Sequence, residues 1–253
     1  MSMSAMRTGV VVVVCVLLSA ICLVSVASAQ TCWQKAYGGP GGDFGESVQQ
    51  TVDGGYIIAG ITNSFGPHDA NFYLIKTDAQ GDTLWTRAHG GAGNDDGFSV
   101  QQTTDGGYII AGGTSSFGAE VYDVYLIKTD ARGDTLWTRT YGDSLWDVGL
   151  SVQQTSDGGY IVAGRTASFG AGRDDVYLIK TNGQGDTLWT RTYGGPYDDD
   201  GNSVQQTTDG GYIIVGRTRS PADEYDDLYL VKTDAKGDTL WTKVYGGTDD
   251  DQG

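Results

Sequence analysis

The chain is poor in almost everything that would support a helical or disulfide-held fold. It has three cysteines, four prolines, two histidines and three methionines in 253 residues. Cys15 and Cys22 fall within the first 29 residues, so Cys32 stands alone beyond them and no disulfide framework can hold the rest. Glutamate is scarcer than the charge suggests. Of 32 acidic side chains only Glu46, Glu120 and Glu224 are Glu; the remainder are Asp. A helical acidic protein uses Glu freely, whereas Asp beside 40 glycines is turn chemistry, because both residues tolerate left-handed backbone and Asp bonds its own turn. Basic residues number 16, half the acidic total, and the formal charge is −16. Nucleic acid and anionic membrane are thereby excluded as natural partners, since both require basic surface. No G-x-S-x-G, H-E-x-x-H or Cys/His metal spacing occurs. An all-β chain without a catalytic constellation is expected.

The one long hydrophobic run is at the start. Arg7 precedes an apolar stretch from Val10 to Val26, and Ala27-Ser28-Ala29 follows as a small-x-small cleavage site. This pattern predicts a secretory signal peptide, residues 1–29, cleaved after Ala29. The alternative is a membrane anchor, for which the run is at the short limit. Removal of Arg7 leaves 15 basic against 32 acidic side chains, a charge of −17, and no other segment long enough to span a membrane. The expected location is therefore secreted or cell-surface.

Residues 30–253 are a repeat domain. Trp33, Trp85, Trp137, Trp189 and Trp241 recur every 52 residues, and so do the D-G-G-Y turns at Asp53, Asp105, Asp157 and Asp209. The units are 33–84, 85–136, 137–188 and 189–240, with a partial unit 241–253. One period reads as four strands. Ser47–Thr51 is followed by the tight hairpin signal Asp53-Gly54-Gly55, then Tyr56–Thr62, which is apolar on both faces. A longer loop leads to Phe72–Lys76, and Asp78-Ala79-Gln80-Gly81 turns into Thr83–His89. Four antiparallel strands per period predict a β-propeller blade; a β-solenoid, whose strands run parallel, accounts badly for the hairpins. The tryptophan on each fourth strand is expected to lie flat between neighbouring blades, burying a ring where a single blade has no core of its own.

The stretches Y-L-I-K-T-D-x-x-G-D-T-L-W and S-V-Q-Q-T-x-D-G-G-Y-I resemble repeats of secreted bacterial β-propeller proteins, many of which end in a type IX secretion sorting domain. More distantly, D-x-x-G-x-x-x-W is similar to the tryptophan-docking motif of quinoprotein (PQQ-like) propellers, one residue shorter. The resemblance spans Trp33 to Gly253. It implies fold and export and says little of activity, since propellers host many unrelated functions. Strand counting adds an expectation. There are four copies of the first three strands but five of the fourth, because Trp33–Gly39 precedes the first S-V-Q-Q-T. The expected architecture is four blades plus an extra N-terminal outer strand, a fragment of a larger propeller with open edges that self-associate. A complete four-bladed ring with one surplus strand is the alternative.

The long loops, Asn63–Asn71 and Gly90–Asp96 and their equivalents, fall on one face, the default binding face. Asp43, Asp95, Asp147, Asp199 and Asp251 recur there at the repeat period. They read either as a ring of carboxylates for a hard cation such as Ca²⁺ or as caps of their own turns. Residues that break the repeat point to a single site. Trp146 is special to the third copy, and Arg165, Arg173, Arg217 and Arg219 stand in the third and fourth, with Tyr122, Tyr197 and Tyr225 in the same region. An aromatic and arginine cluster of this kind suits a glycan or a protein segment; ordinary drift between surface loops is the bland alternative. The leading expectation is a secreted, non-enzymatic binding or scaffold module for protein or carbohydrate, with no cofactor unless Ca²⁺. The alternative is a propeller-type enzyme, glycan-active or quinone-dependent. Asp95-Asp96 and Asp198-Asp199-Asp200 could be imagined as a glycosidase dyad, but they repeat with the fold.

Overall fold

The computed structural model describes residues 33–68, 70–118, 121–219 and 225–247. The expected signal peptide and Asp251 lie outside the described residues. Sixteen strands form four sheets among the described residues, each an antiparallel meander in chain order. Blade 1 is β1 (Asp43–Gln50), β2 (Tyr56–Thr62), β3 (Asn71–Thr77) and β4 (Thr83–His89). Blade 2 is β5 (Asp95–Gln102), β6 (Tyr108–Thr114), β7 (Asp123–Thr129) and β8 (Thr135–Tyr141). Blade 3 is β9 (Asp147–Gln154), β10 (Tyr160–Thr166), β11 (Asp175–Thr181) and β12 (Thr187–Tyr193). Blade 4 is β13 (Asp199–Gln206), β14 (Tyr212–Arg219), β15 (Asp226–Thr233) and β16 (Thr239–Tyr245). This is the β-propeller expected, and each sheet takes its outer strand from the start of the following 52-residue unit.

Turn chemistry sets the hairpins. At Asp53-Gly54-Gly55 the Gly54 amide donates to Thr51 O at 2.9 Å with Gly54 at φ +83°, and Asp53 Oδ1 accepts from the Gly55 amide at 3.0 Å. A side chain on Gly55 is not tolerated, because its Cβ would stand 2.1 Å from Thr77 O. The second and fourth strands match the sequence expectation. The innermost strand does not: it begins at Asp43 rather than Ser47 and ends at Gln50. Its first residues pair Asp43 with Thr62 across a bulge between Gly45 and Ser47 that leaves Glu46 unmatched. The third strand likewise extends one residue each way, to Asn71–Thr77.

The core sits between blades. Ile57, Ala59, Phe72 and Leu74 of blade 1 meet Val100, Tyr108, Ile110, Tyr125 and Ile127 of blade 2 in one buried cluster. Equivalent clusters join blades 2 and 3 and blades 3 and 4. Around each lies a repeated set of junction contacts. Trp85, Trp137 and Trp189 set their rings against Tyr108, Tyr160 and Tyr212 of the next blade at centroid distances of 5.8, 5.9 and 5.8 Å. The rings cross steeply rather than lying flat, and Arg87, Arg139 and Arg191 cover them from the same strand. Arg87 also reaches Asp134 of the next blade at 3.1 Å, and Tyr141 and Tyr193 donate to Gly185 O and Gly237 O at 2.6 and 2.7 Å. An exposed ion pair contributes at most about 1 kcal/mol and an aromatic pair about 0.5–1.5 kcal/mol, so apolar burial is the larger part of each junction.

Trp33–Gly39, expected as an outer strand, occupies that strand's seat against blade 1 without pairing into a sheet. Trp33 meets Tyr56 at 5.9 Å, Lys35 reaches Asp82 at 2.5 Å and Tyr37 donates to Gly81 O at 2.8 Å. Backbone pairing needs a neighbouring third strand, and none of the described strands stands there. The blades form an open arc. Val48 is 65% exposed, whereas Val100, Val152 and Val204 at the same repeat position are 6, 6 and 7% exposed. At the other end Tyr245 is 51% exposed and its equivalent Tyr193 is 8%.

Candidate functional site on the loop face

The loops between second and third strands and the loops between blades lie together, as the repeat predicts. Ser115 N donates to Asn94 O at 2.8 Å and Ala167 N to Trp146 O at 2.8 Å, tying one loop set to the other. The periodic aspartates are the pins of this arrangement. Asp95 is fully buried and accepts from the Gly91 amide at 2.8 Å and the Ser116 hydroxyl at 2.6 Å, with the Thr114 hydroxyl on its other oxygen. Asp43 repeats this with Gly39, Ser64 and Thr62, and Asp147 with Asp143 N and Ser168. Asp199 accepts from Gly195 N at 2.7 Å, and burial holds its carboxyl above the usual range. Each thus uses one oxygen to cap its own blade's loops, while Oδ1 of Asp147 and of Asp199 is buried without a hydrogen-bond partner. Among the described residues no group of three or more His, Cys, Asp or Glu side chains is placed to hold a metal ion.

The residues that break the repeat come together more closely than their spacing suggests. Trp146 is 52% exposed and lies nearly parallel on Tyr122, with ring centroids 4.8 Å apart and planes at 21°. Tyr122 is itself buried, and its hydroxyl donates to the Asp96 carboxylate; burial and that acceptor push its phenol far above the ordinary range. A short parallel bridge joins Tyr122 to Trp146 through the backbone, so the stack is fixed at both ring and chain. Two hollows flank it. One of about 280 Å³ is lined by Asp96, Tyr122, Trp146, Val148 and Arg165 among others. The second, about 380 Å³, is lined by Trp146, Arg165, Ala167, Arg173 and Asp174.

Arg165, Arg217 and Arg219 form one network through shared carboxylates. Arg217 contacts Asp200 at 2.5 Å and Asp226 at 2.6 Å; Arg219 contacts Asp226 at 2.9 Å and Asp198 at 3.4 Å. Arg165 stands 3.9 Å from Asp174 and 4.0 Å from Asp200. Burial raises the Asp174 carboxyl against the pull of Arg165. Arg173 is the most exposed of the four, 3.9 Å from Asp198. Tyr197 and Tyr225 lie exposed in the same blades. Sequence reading named the arginines but not Asp174, Asp200 and Asp226 as their partners, which come from different strands and loops and meet through strand register within a blade, with Arg165–Asp200 alone of these pairs crossing between blades. The charges nearly cancel, so the site presents paired polar groups rather than net positive charge.

No known protein-family profile matches the chain. It is 27% identical over 241 residues to the regulatory protein FlaEY of Caulobacter vibrioides; the match covers 77% of this chain and spans a quarter of that relative's length. Among solved structures it is similar to a protein of unknown function from Bacteroides caccae, at 12% identity, TM-score 0.38, covering 81% of this chain and 82% of that one. It is also similar to BamB from Moraxella catarrhalis, at 14% identity, TM-score 0.45, covering 82% of this chain and 52% of that one.

Proposed function

We propose that this chain is an exported, non-enzymatic binding module that holds a glycan on the loop face of blades 2 to 4. The observation that carries the reading is Trp146: a half-exposed ring held flat on a buried tyrosine, with Arg165 shared by the hollows on its two sides. A sugar ring offers an apolar C–H face and a rim of hydroxyls. A fixed aromatic platform takes the first, and planar guanidinium and carboxylate groups take the second. The balance of arginine against aspartate suits a neutral polar ligand better than an anion. The signal-peptide pattern of residues 1–29 supports export to the cell surface.

The test is a glycan array probed with the purified chain and with its Trp146→Ala variant. A panel of bound glycans that loses about tenfold or more in affinity with the variant is expected, as for an aromatic at the centre of a site. Equal binding by the variant, or turnover of a chromogenic glycoside by the parent chain, contradicts the proposal.

A further inference from the structure

The turn between the third and fourth strands of blade 3 departs from its repeat in two neighbouring residues. Blades 1, 2 and 4 turn on Asp78-Ala79, Asp130-Ala131 and Asp234-Ala235, and blade 3 on Asn182-Gly183, the one Asn-Gly pair in the sequence. The hydrogen bonding of the turn is unchanged. Asn182 Oδ1 accepts from the Gln184 and Asp186 amides at 2.9 Å each, as Asp130 Oδ1 accepts from the Arg132 and Asp134 amides at 2.8 and 2.9 Å. The side-chain nitrogen of Asn182 donates to Asp186 at 3.1 Å. Among the described residues no hydrogen bond engages the Gly183 amide, and glycine leaves that nitrogen without a side chain beside it. The turn is also a seat for the preceding blade. Gly185 O accepts from Tyr141 at 2.6 Å, Asp186 meets Arg139 at 3.3 Å, and Gly185 lies against the Trp137 ring.

We propose that Asn182 is a site of spontaneous deamidation whose two products act oppositely on the junction of blades 2 and 3. The Gly183 nitrogen gives its proton to solvent base and bonds to Cγ of Asn182. The Cγ–Nδ2 bond then breaks, and ammonia leaves with a proton taken from solvent. The Gln184 and Asp186 amides already point at Oδ1, where negative charge develops as Cγ is attacked. Water opens the resulting cyclic imide at either carbonyl. Opening at Cγ leaves aspartate at position 182, the residue that blades 1, 2 and 4 carry there, with its Oδ1 on the same two amides. That product keeps the seat for Trp137, Arg139 and Tyr141. Opening at the α-carbonyl leaves isoaspartate, in which the main chain runs through Cγ and is longer by one carbon. The carbonyl that accepts from the Gly185 amide at 3.1 Å becomes a pendant carboxylate, and the return bond from Asn182 N to Asp186 O at 3.0 Å loses its register. Gly185 and Asp186 then shift away from the strand they hold, and the junction loosens.

Ageing of the purified chain at mildly alkaline pH, followed by mass spectrometry of the tryptic peptide 181–191, tests this. Replacement of the amide by an acid at position 182 is expected at least about tenfold faster than at the exposed Asn63, whose neighbour Ser64 shields its nitrogen with a side chain. Gly183→Ala restores the residue of the other three turns and is expected to slow the conversion at least about tenfold. Asn182→Asp stands in for the first product and is expected to unfold in urea at the parent's midpoint, while the isoaspartate fraction separated from aged protein unfolds at a lower one. A peptide that stays intact or converts no faster than Asn63 overturns the proposal. So does a Gly183→Ala chain that converts at the parent's rate, or an isoaspartate fraction as stable as Asn182→Asp.

Discussion

His89 stands where Tyr37, Tyr141 and Tyr193 hold the carbonyl of the next blade. Its Nε2 is buried without a partner, and burial with Arg87 nearby pushes its pKa below the ordinary 6.5. A base with a depressed folded pKa contributes stability above its unfolded pKa and loses it as pH falls. The blade 1–2 junction is thus expected to weaken on acidification below 6.5. His89→Tyr places at this position the hydroxyl that Tyr141 and Tyr193 donate to the next blade and is expected to add about 1 kcal/mol and to remove that pH dependence. Urea unfolding of both proteins at pH about 7 and about 5.5 checks it; a variant no more stable than the parent contradicts it. Trp137 and Trp241 provide a matched pair. The first packs on Tyr160 and the second on no blade. Trp137→Ala is expected to cost about 2–3 kcal/mol and Trp241→Ala less than about 1 kcal/mol, read by the same unfolding measurement in dilute monomer.

Within each element the hairpin lysine is the recurring device. Lys76, Lys128, Lys180 and Lys232 lie along the blade and tie the third strand's end to the D-G-G turn, at 2.9–3.0 Å from its aspartate. Bonds from Thr51 and Lys76 hold Asp53 down at about 2. Asp157 also falls to about 2, burial being outweighed by bonds from Thr155, Gly159 N and Lys180. Carboxyls with depressed folded pKa stabilise above the ordinary 3.8 and lose that contribution as pH falls toward about 2. Stability is expected to drop across that window, with a shallower slope in Asp157→Asn; an unchanged slope in the variant contradicts the account. These hairpins were fully legible in sequence, because D-G-G and D-x-x-G act through a few adjacent residues. The inner strand's four added residues were not, since Asp43–Gly45 are strand only by virtue of Thr62–Gly60 opposite and the bulge at Glu46. Trp33–Gly39 misled for the same reason: strand sequence without a neighbour to bond does not make a strand.

At the scale of the molecule the period reported the blades and the chain's composition reported the class. The site was half legible. Trp146 and the four arginines stood out because they break the repeat. Asp200 and Asp226, 26 positions apart, become partners of Arg217 only through the register of β14 with β13 and β15. The central claim is that cohesion resides in three blade junctions and that both ends of the arc are uncovered. Hydrogen–deuterium exchange on dilute monomer, resolved by strand, tests it most directly. The account predicts the slowest exchange in β6, β7, β10 and β11, which are covered on both faces, and fast exchange in β1 and β16. Equal protection of β1 and β9, as a closed ring of four blades requires, would contradict it.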